Sequence, residues 1–228
     1  MDKIDLSKTV HLFIDTEFYI PAQQRNNSEW SLIVNPYMEG NIFLGGSFVR
    51  WMPSKGPREK MNQFWIWQDG GDEKQLLLKF YEYFKNLWKI AKDEFGRVDL
   101  TLIGIGVERF DIPAIFARSV VMKIDTTENL FNVYHKCRFV DLSEVGIPYF
   151  DREPIRALYP KGTNALMRRW NIDIPKDSGV GVSEMYDKKD HAGIEQRNSR
   201  EVQNIIRIYD EIGTAINKSV EYKMRRGR

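Results

Sequence analysis

The stretch that decides the fold is Val10–Ile14, with the sequence VHLFI, which runs directly into Asp15, Thr16 and Glu17. A short run of apolar residues predicts a buried strand. Residues i and i+2 of a strand point to the same face, so Asp15 and Glu17 are expected side by side where this strand ends. Like charges that close repel each other unless a cation lies between them, and Mg²⁺ and Mn²⁺ prefer oxygen ligands. The alternative is a pair of solvated acids at a strand end.

The rest of the chain predicts a mixed α/β order. Including the first, five strands are expected, at Val10–Ile14, Asn41–Trp51, Phe64–Trp67, Leu100–Ile105 and Cys137–Leu142. Apolar residues at spacings of three and four predict helices at Asp72–Phe95, from Ile112 onward, and from about Gly193 to Ile216. The polar residues 21–40 are expected to form a long loop.

This order predicts one sheet with helices on both faces. The first three strands follow one another without a helix, which favours an antiparallel start, and the later strands are expected to run parallel. The prediction is therefore an α/β fold with a mixed five-stranded sheet. No convincing linker interrupts it, so residues 1–217 are expected to form a single domain. Residues 218–228 are rich in basic side chains and are expected to be a disordered tail.

Composition narrows the class of protein. The chain has 228 residues, 42% of them hydrophobic, which is ample for a core without disulfides or a structural metal. No stretch has the roughly 18–20 apolar residues of a membrane span, and the N-terminus, which has acidic residues and no apolar core segment, does not resemble a secretory signal. The single cysteine, Cys137, permits no internal disulfide and no cysteine-based zinc site. A cytoplasmic location is therefore expected.

The net charge of the chain does not indicate whether it binds nucleic acid. There are 34 basic and 32 acidic residues, giving a net charge of +2. Such a balance neither favours nor excludes nucleic acid, because only a clustered basic surface carries that signal.

A third carboxylate follows a later strand. Asp111 lies in GIGVERFDIPAIFAR, after the strand predicted at Leu100–Ile105 and before Pro113. Asp is favoured at a helix N-cap and Pro in the first turn, so capping is one explanation. The other is that Asp111, at the mouth of a neighbouring strand, faces Asp15 and Glu17.

A fourth carboxylate lies on the last predicted helix. Glu201, in EQRNSREVQNI, is on or beside the apolar stripe formed by Ile205, Ile208 and Ile212. A carboxylate there is unusual unless it is paired. Arg197, one turn earlier, offers a simple explanation as an i,i+4 ion pair.

Taken together, these stretches resemble the DEDD (DnaQ-like) 3′–5′ exonuclease superfamily, within the ribonuclease H-like fold. FIDTEF resembles its first motif, and GIGVERFDIP resembles a second motif often written GHNxxRFDIP. Residues 171–205 resemble the third region of the DEDDy, DNA-polymerase-B-like exonucleases, in which a segment with lysine and glycine precedes a helix of the pattern I-x-E-Y-N-x-x-D-V. The resemblance covers about residues 10–212.

The resemblance implies a metal-dependent 3′–5′ exonuclease acting on DNA or RNA, with single-stranded 3′ ends as the expected partner. In that family four carboxylates bind two divalent ions, Mg²⁺ or Mn²⁺; one activates a water and the other stabilises the leaving 3′ oxygen. Asp15, Glu17 and Asp111 match the first three ligands. Glu201 stands in the fourth place, which is usually Asp, and reaches one methylene further.

Besides Glu201, three positions depart from the family pattern. Arg197 stands where the family has the tyrosine that orients the attacking water, and arginine stays protonated, so it is no base. Gln196 stands where the histidine subgroup has its histidine, and Gly106 where the second motif commonly has Asn. His191 is a candidate to replace the missing base; the alternative is a surface histidine without a catalytic role.

Candidate contacts to the substrate follow from the same resemblance. Phe18 and Tyr19 are candidates to stack on the terminal nucleotide, the alternative being core packing at the strand end. Basic residues expected along the phosphate backbone, each with solvated surface charge as the alternative, are Arg109, Lys161, Arg168, Arg169 and Lys176.

Three functions remain open at this point: an active exonuclease in which Arg197 grips a phosphate, a nucleic-acid-binding protein in which Arg197 replaces a metal ion, and a phosphohydrolase of small nucleotides. The sequence does not specify an oligomeric state.

Overall fold

The computed structural model describes residues 9–25, 35–96, 99–150, 159–172 and 181–226. These residues form one five-stranded sheet with helices on both faces. The strands are β1 (Val10–Tyr19), β2 (Ile42–Trp51), β3 (Asn62–Trp65), β4 (Leu100–Gly104) and β5 (Arg138–Asp141). The α-helices are α1 (Glu73–Phe95), α2 (Ile112–Val121), α3 (Thr127–Tyr134), α4 (Leu142–Val145), α5 (Thr163–Arg169), α6 (Val182–Asp187) and α7 (His191–Arg226).

The sheet has the order β3-β2-β1-β4-β5. Strand β1 pairs antiparallel with β2, which pairs antiparallel with β3. On its other side β1 pairs parallel with β4, which pairs parallel with β5. The predicted α/β class and the mixed sheet, three antiparallel strands followed by parallel ones, are confirmed.

Each face of the sheet has its own core. On one face, Leu12 and Ile14 of β1 belong to a cluster that includes Phe80 and Phe84 of α1. On the other face, Phe13 belongs to a cluster that includes Ile205 and further isoleucines of α7. Alternate residues of β1 thus serve opposite cores, which is why its apolar run is continuous.

Local signals explain the boundaries of α1. The side chain of Asp72 accepts hydrogen bonds from the backbone N–H groups of Lys74 and Gln75, so it caps the helix start. Gly96, with φ of 60°, ends the helix in the left-handed conformation that glycine adopts at little cost. The expected helix at Asp72–Phe95 is therefore confirmed.

Strand β1 differs from the prediction in a way that matters for the site. It continues to Tyr19 instead of ending at Ile14, so Asp15 and Glu17 lie within the strand. Its pairing with β4 stops at Phe13, whereas its pairing with β2 continues to Tyr19. The second half of β1 therefore has a strand on one side only. Gly46 of β2 permits the close approach there, since a Cβ at Gly46 would lie 2.4 Å from the carbonyl oxygen of Asp15.

Other boundaries also differ. The third strand spans Asn62–Trp65, and its predicted end is a short 3₁₀ turn at Ile66–Asp69. A 3₁₀ turn also occupies Ala22–Gln24, within the loop expected at 21–40. The last helix starts at His191 and continues to Arg226 instead of ending near Ile216, so most of the predicted basic tail has helical backbone. None of the helices described in this fold is long and apolar enough to cross a membrane.

Candidate active site

Carboxylates from three separate elements lie close enough to affect one another at the carboxyl ends of the parallel strands. Asp15 and Glu17 are half-buried on β1, and Asp111, after β4, is 3% exposed. Glu201 is half-buried on α7. In open α/β sheets this end of the strands is the usual position of a ligand site. The charges of Asp111 and Glu201 both act on Asp15.

Helix α7 is positioned by its apolar residues. Val202, Ile205, Ile208 and Ile212 are buried against Phe13 and its neighbours on the sheet. Because residues three and four apart share a helix face, the turn preceding Val202 is also directed toward β1. That turn carries Arg197, Asn198 and Glu201.

Asp111 is held by β1 and does not cap α2. One of its oxygens, Oδ1, accepts a hydrogen bond from the backbone N–H of Thr16 at 3.1 Å and one from the hydroxyl of Thr16 at 2.5 Å. No side-chain capping bond forms at the start of α2. The chain enters α2 through a five-residue π-helical turn, Val107–Asp111, which delivers the carboxylate to β1 instead. The capping explanation is therefore wrong for this side chain.

Gly106 begins that turn in a conformation that explains one departure from the family pattern. Its φ is 77°, in the left-handed region. Glycine adopts this region freely, and Asn is among the few other residues that adopt it readily. Glycine in place of Asn is therefore a conservative change for the backbone.

Asn198 is a site residue that the sequence analysis missed. Its side chain is fully buried, and its Nδ2 donates to Oδ2 of Asp15 at 2.6 Å and, more weakly, to Oε1 of Glu17 at 3.4 Å. The amide thus links the two carboxylates of β1. The signal was available, because Asn198 occupies the N of the pattern I-x-E-Y-N-x-x-D-V.

The charges of the other three carboxylates all act on Asp15. Burial raises its pKa, and the carboxylates of Glu17, Asp111 and Glu201 raise it further, to well above the usual range. Only Arg197 acts in the opposite direction among the main causes. A carboxyl group in this setting gains from any cation that approaches it.

Glu17 and Asp111 are affected in the same direction. Burial raises the pKa of Glu17 to about 7, although Arg197 and the hydrogen bond from Asn198 lower it. Burial raises the pKa of Asp111 to about 6 against the hydrogen bonds from Thr16. Perturbed carboxyl groups in a cluster are typical of functional sites.

Arg197 lies near enough to Asp15 and Glu17 for its charge to lower the pKa of both. Its effect therefore extends beyond a neighbour one turn away on its own helix. Arg197 therefore places a positive charge beside the two carboxylates of β1.

Asp141, the last residue of β5, was also missed. It is 4% exposed, and its Oδ1 accepts from the backbone N–H of Gly106 at 3.0 Å and from the backbone N–H and hydroxyl of Ser143 at 3.0 and 2.6 Å. These bonds fix the turn that carries Asp111. Asp141 also raises the pKa of Asp111, so it contributes to the negative charge of the site. The signal was an Asp at the end of a predicted strand, in CRFVDL.

His191 lies in a stack of rings at the start of α7. Its imidazole is parallel to the indole of Trp67, with ring centroids 4.4 Å apart and an interplanar angle of 4°. Trp67 also stacks on Trp65 at 4.9 Å, and its indole N–H donates to Glu195 at 2.7 Å. One face of His191 is therefore occupied by Trp67, and a catalytic role for His191 stays a prediction.

The two aromatic candidates for nucleotide stacking differ. Phe18 is 6% exposed and contacts the rings of Phe43 and Phe110, so its assignment to the nucleotide is wrong for this conformation and core packing explains it. Tyr19 is half-buried, contacts Tyr186, and donates its hydroxyl hydrogen to Asp187 at 2.9 Å.

The basic candidates are also spread among different environments. Lys161 is 6% exposed, so it does not belong to an open path for a phosphate backbone. Arg109 is exposed and paired with Glu144. Arg168 and Arg169 are exposed at the end of α5, and Nε of Arg169 donates to the carbonyl of Tyr149 at 2.7 Å. Lys176 lies outside the described residues.

The donor set suits a hard divalent cation. Asp15, Glu17, Asp111 and Glu201 supply carboxylate oxygens, and a cation would relieve the repulsion that raises the pKa values of Asp15, Glu17 and Asp111. The hydrogen bonds from Asn198 and Thr16 engage one oxygen of each of the three carboxylates they reach. As the side chains stand, no three His, Cys, Asp or Glu residues within the described ranges form a group that could hold a metal ion.

Comparison of the chain with protein-family models, curated proteins and solved structures gave no match.

Proposed function

We propose that this chain is a metal-dependent 3′–5′ exonuclease of the DEDD type, hydrolysing terminal phosphodiester bonds of DNA or RNA. The observation that carries the proposal is the cluster of Asp15, Glu17, Asp111 and Glu201, whose charges act on one another at the ends of parallel strands. Four carboxylates from three elements are costly for folding, and a site for divalent cations explains why they are together.

In this proposal the four carboxylates hold Mg²⁺ or Mn²⁺. Bound cations of this kind activate water as a nucleophile and neutralise charge on the phosphate and the leaving oxygen. Asp15 and Glu17 project from the same face of β1, so a single rigid strand fixes two of the ligands. Thr16 fixes the third, since its backbone and hydroxyl both donate to Asp111.

Arg197 has the role of binding phosphate. Its guanidinium stays protonated at all relevant pH values and donates to phosphate oxygens in a fixed fork. In this position it complements the negative charge of the substrate backbone, which the four carboxylates alone would repel. Arg197 is thus a substrate-binding residue of the site and not a base.

The test is cleavage of single-stranded DNA and RNA oligonucleotides labelled at the 5′ end, so that removal of 3′ nucleotides produces a ladder. We expect a ladder with Mg²⁺ or Mn²⁺ and none with EDTA. Asp15→Asn and Glu17→Gln each keep the shape of the side chain and should lower the rate at least about a thousand-fold. Asp125→Asn is the matched control, because Asp125 binds Tyr81 on the other face of the sheet.

Cleavage by Asp15→Asn at the rate of the unaltered chain would contradict the proposal, as would a ladder in EDTA. Mononucleotides offered under the same conditions test the phosphohydrolase alternative. Release of inorganic phosphate from them, without any ladder, would favour that function instead.

Arg197 also supports a second candidate, a nucleic-acid-binding protein with little or no cleavage. Its charge acts on Asp15 and Glu17, where a cation would otherwise do so. This candidate predicts salt-sensitive binding of oligonucleotides with no ladder in Mn²⁺. It also predicts that Arg197→Tyr combined with Glu201→Asp produces cleavage. Cleavage by the unaltered chain would exclude it.

A further inference from the structure

The side chain of Asn198 combines two features that the four carboxylates do not explain. It is fully buried, although it lies between the polar residues Arg197 and Ser199 on α7. Its Nδ2 donates to Asp15 at 2.6 Å and to Glu17 at 3.4 Å, so it contacts both carboxylates of β1.

The second feature is the amide oxygen. Oδ1 of Asn198 is buried and has no hydrogen-bond partner among the described residues. Buried polar atoms are nearly always satisfied, so an exception calls for an explanation such as an ion or a water molecule. An amide oxygen is a neutral, hard donor of the kind that divalent cations accept beside carboxylates.

We propose that Asn198 is a positioning residue of the cation site. With its –NH₂ group it holds Asp15 and Glu17 together, and with Oδ1 it completes the oxygen donors around a bound divalent cation or its water. The proposal rests on the proposed function, because it concerns the same site. It adds a fifth side chain, which is uncharged, to the four carboxylates of that site.

Because Asn198 is uncharged, it does not add to the repulsion among the carboxylates. Asn198 adds hydrogen-bond donors to a cluster that has too many acceptors, so it favours the cluster when no cation is present. Aspartate has the same shape but lacks the donors. Asn198→Asp therefore places a further carboxylate against Oδ2 of Asp15, a repulsion that is relieved at pH 8 by a bound cation and at lower pH by a shared proton.

The test is binding of Mn²⁺ alone to the full chain, measured by isothermal titration calorimetry, together with the thermal midpoint in EDTA and in Mn²⁺. We expect Asn198→Ala to bind Mn²⁺ about 10- to 100-fold more weakly than the unaltered chain. We expect Asn198→Asp to melt at a lower temperature than the unaltered chain in EDTA. Mn²⁺ should raise its midpoint by more than it raises that of the unaltered chain.

Asn204→Ala and Asn204→Asp are the matched controls, since Asn204 is also buried on α7, about 9 Å further along the helix axis. They should leave Mn²⁺ affinity unchanged. If Asn198→Ala does not fold, Asn198→Asp alone decides, because its cation-dependent recovery does not follow from a merely structural hydrogen bond.

Two results would overturn the inference and are distinguishable. Unchanged Mn²⁺ affinity in Asn198→Ala, with affinity lost in Asp15→Asn, would remove Asn198 from the site and leave the proposed function intact. Absence of Mn²⁺ binding by the unaltered chain would overturn the proposed function and the role of Asn198 with it.

Discussion

Among the described residues, two groups of buried or half-buried charges are built in opposite ways. Glu73 and Arg118 form a closed pair: Nε and Nη2 of Arg118 donate to the two oxygens of Glu73 at 2.7 and 2.5 Å, and both side chains are under 10% exposed. Glu73 also accepts from the backbone N–H of Phe43 at 2.8 Å, and Arg118 donates to the carbonyl of Pro36 at 2.8 Å. These bonds join α1, α2, the start of β2 and the segment before it.

The second group is the cluster of Asp15, Glu17, Asp111 and Glu201, in which the charge of Arg197 acts on Asp15 and Glu17. Glu73 and Arg118 neutralise each other through two hydrogen bonds, whereas the pKa values of Asp15, Glu17 and Asp111 are all raised. The comparison separates buried charge that stabilises the fold from buried charge that strains it. Only the crowded carboxylates would be stabilised by binding a cation.

The largest effect on stability is expected from breaking the closed pair. Glu73→Gln leaves the guanidinium of Arg118 buried without its counter-charge and should lower the free energy of unfolding by about 3–5 kcal/mol. Urea denaturation measures this. The control is Glu82→Gln, which removes an exposed i,i+3 pair with Lys85 and should change little. Equal midpoints for the two variants would mean that the buried pair contributes no more than a surface one.

In the carboxylate cluster, removing a charge is expected to increase the free energy of unfolding instead of lowering it. Glu17→Gln removes one of the crowded charges, so in EDTA at pH 8 it should raise the free energy of unfolding, on the order of 1–3 kcal/mol. The same denaturation experiment applies. A loss of stability in EDTA would show that Glu17 is held by favourable interactions and that the comparison between the two groups fails.

The stability of the protein should also depend on pH through the carboxylate cluster. Burial raises the pKa of Glu17 from 4.5 to about 7 and that of Asp111 from 3.8 to about 6. The folded state therefore binds more protons than the unfolded chain between about pH 4 and pH 7, so the contribution of these groups to stability is lost as pH rises through that range.

Mn²⁺ binds only the deprotonated carboxylates and should reduce this loss. Thermal midpoints measured from pH 4 to pH 8, in EDTA and in Mn²⁺, should diverge as pH rises. If the midpoints in EDTA and in Mn²⁺ differed by the same amount at every pH, the carboxylates would not form a common cation site.

A smaller effect is expected at Asp141. Asp141→Ala removes the acceptor for the N–H groups of Gly106 and Ser143 and should lower the free energy of unfolding by about 1–2 kcal/mol. It should also reduce Mn²⁺ affinity, because the turn that positions Asp111 is loosened. Asp93→Ala, the same change at an exposed position of α1, serves as the control. Unchanged stability would remove Asp141 from the framework of the site.

The sequence predicted the fold well where a single pattern controlled the structure. The apolar stripe from Leu76 to Ala91 and the signals at Asp72 and Gly96 specify α1 almost to the residue. The order of strands also predicted the sheet. The end of β1 was missed because Asp15 and Glu17 interrupt the apolar run, while pairing with β2 continues through them to Tyr19.

Within the site, the carboxylates were predictable and the groups that hold them were not. Asp15, Glu17, Asp111 and Glu201 carry charge in unusual places, which a sequence reveals. Asn198 looks like any polar residue on a helix, and only the docking of α7 buries it against Asp15. Phe18 was assigned to a substrate because its position follows the motif, although the alternation of β1 directs it into the core.

Anomalous diffraction from crystals soaked in MnCl₂ would show directly whether the four carboxylates hold a cation. We expect one or two peaks bounded by the carboxylates of Asp15, Glu17, Asp111 and Glu201. Well-ordered carboxylates with no peak between them, and with the guanidinium of Arg197 in contact with Asp15 and Glu17 instead, would contradict this expectation.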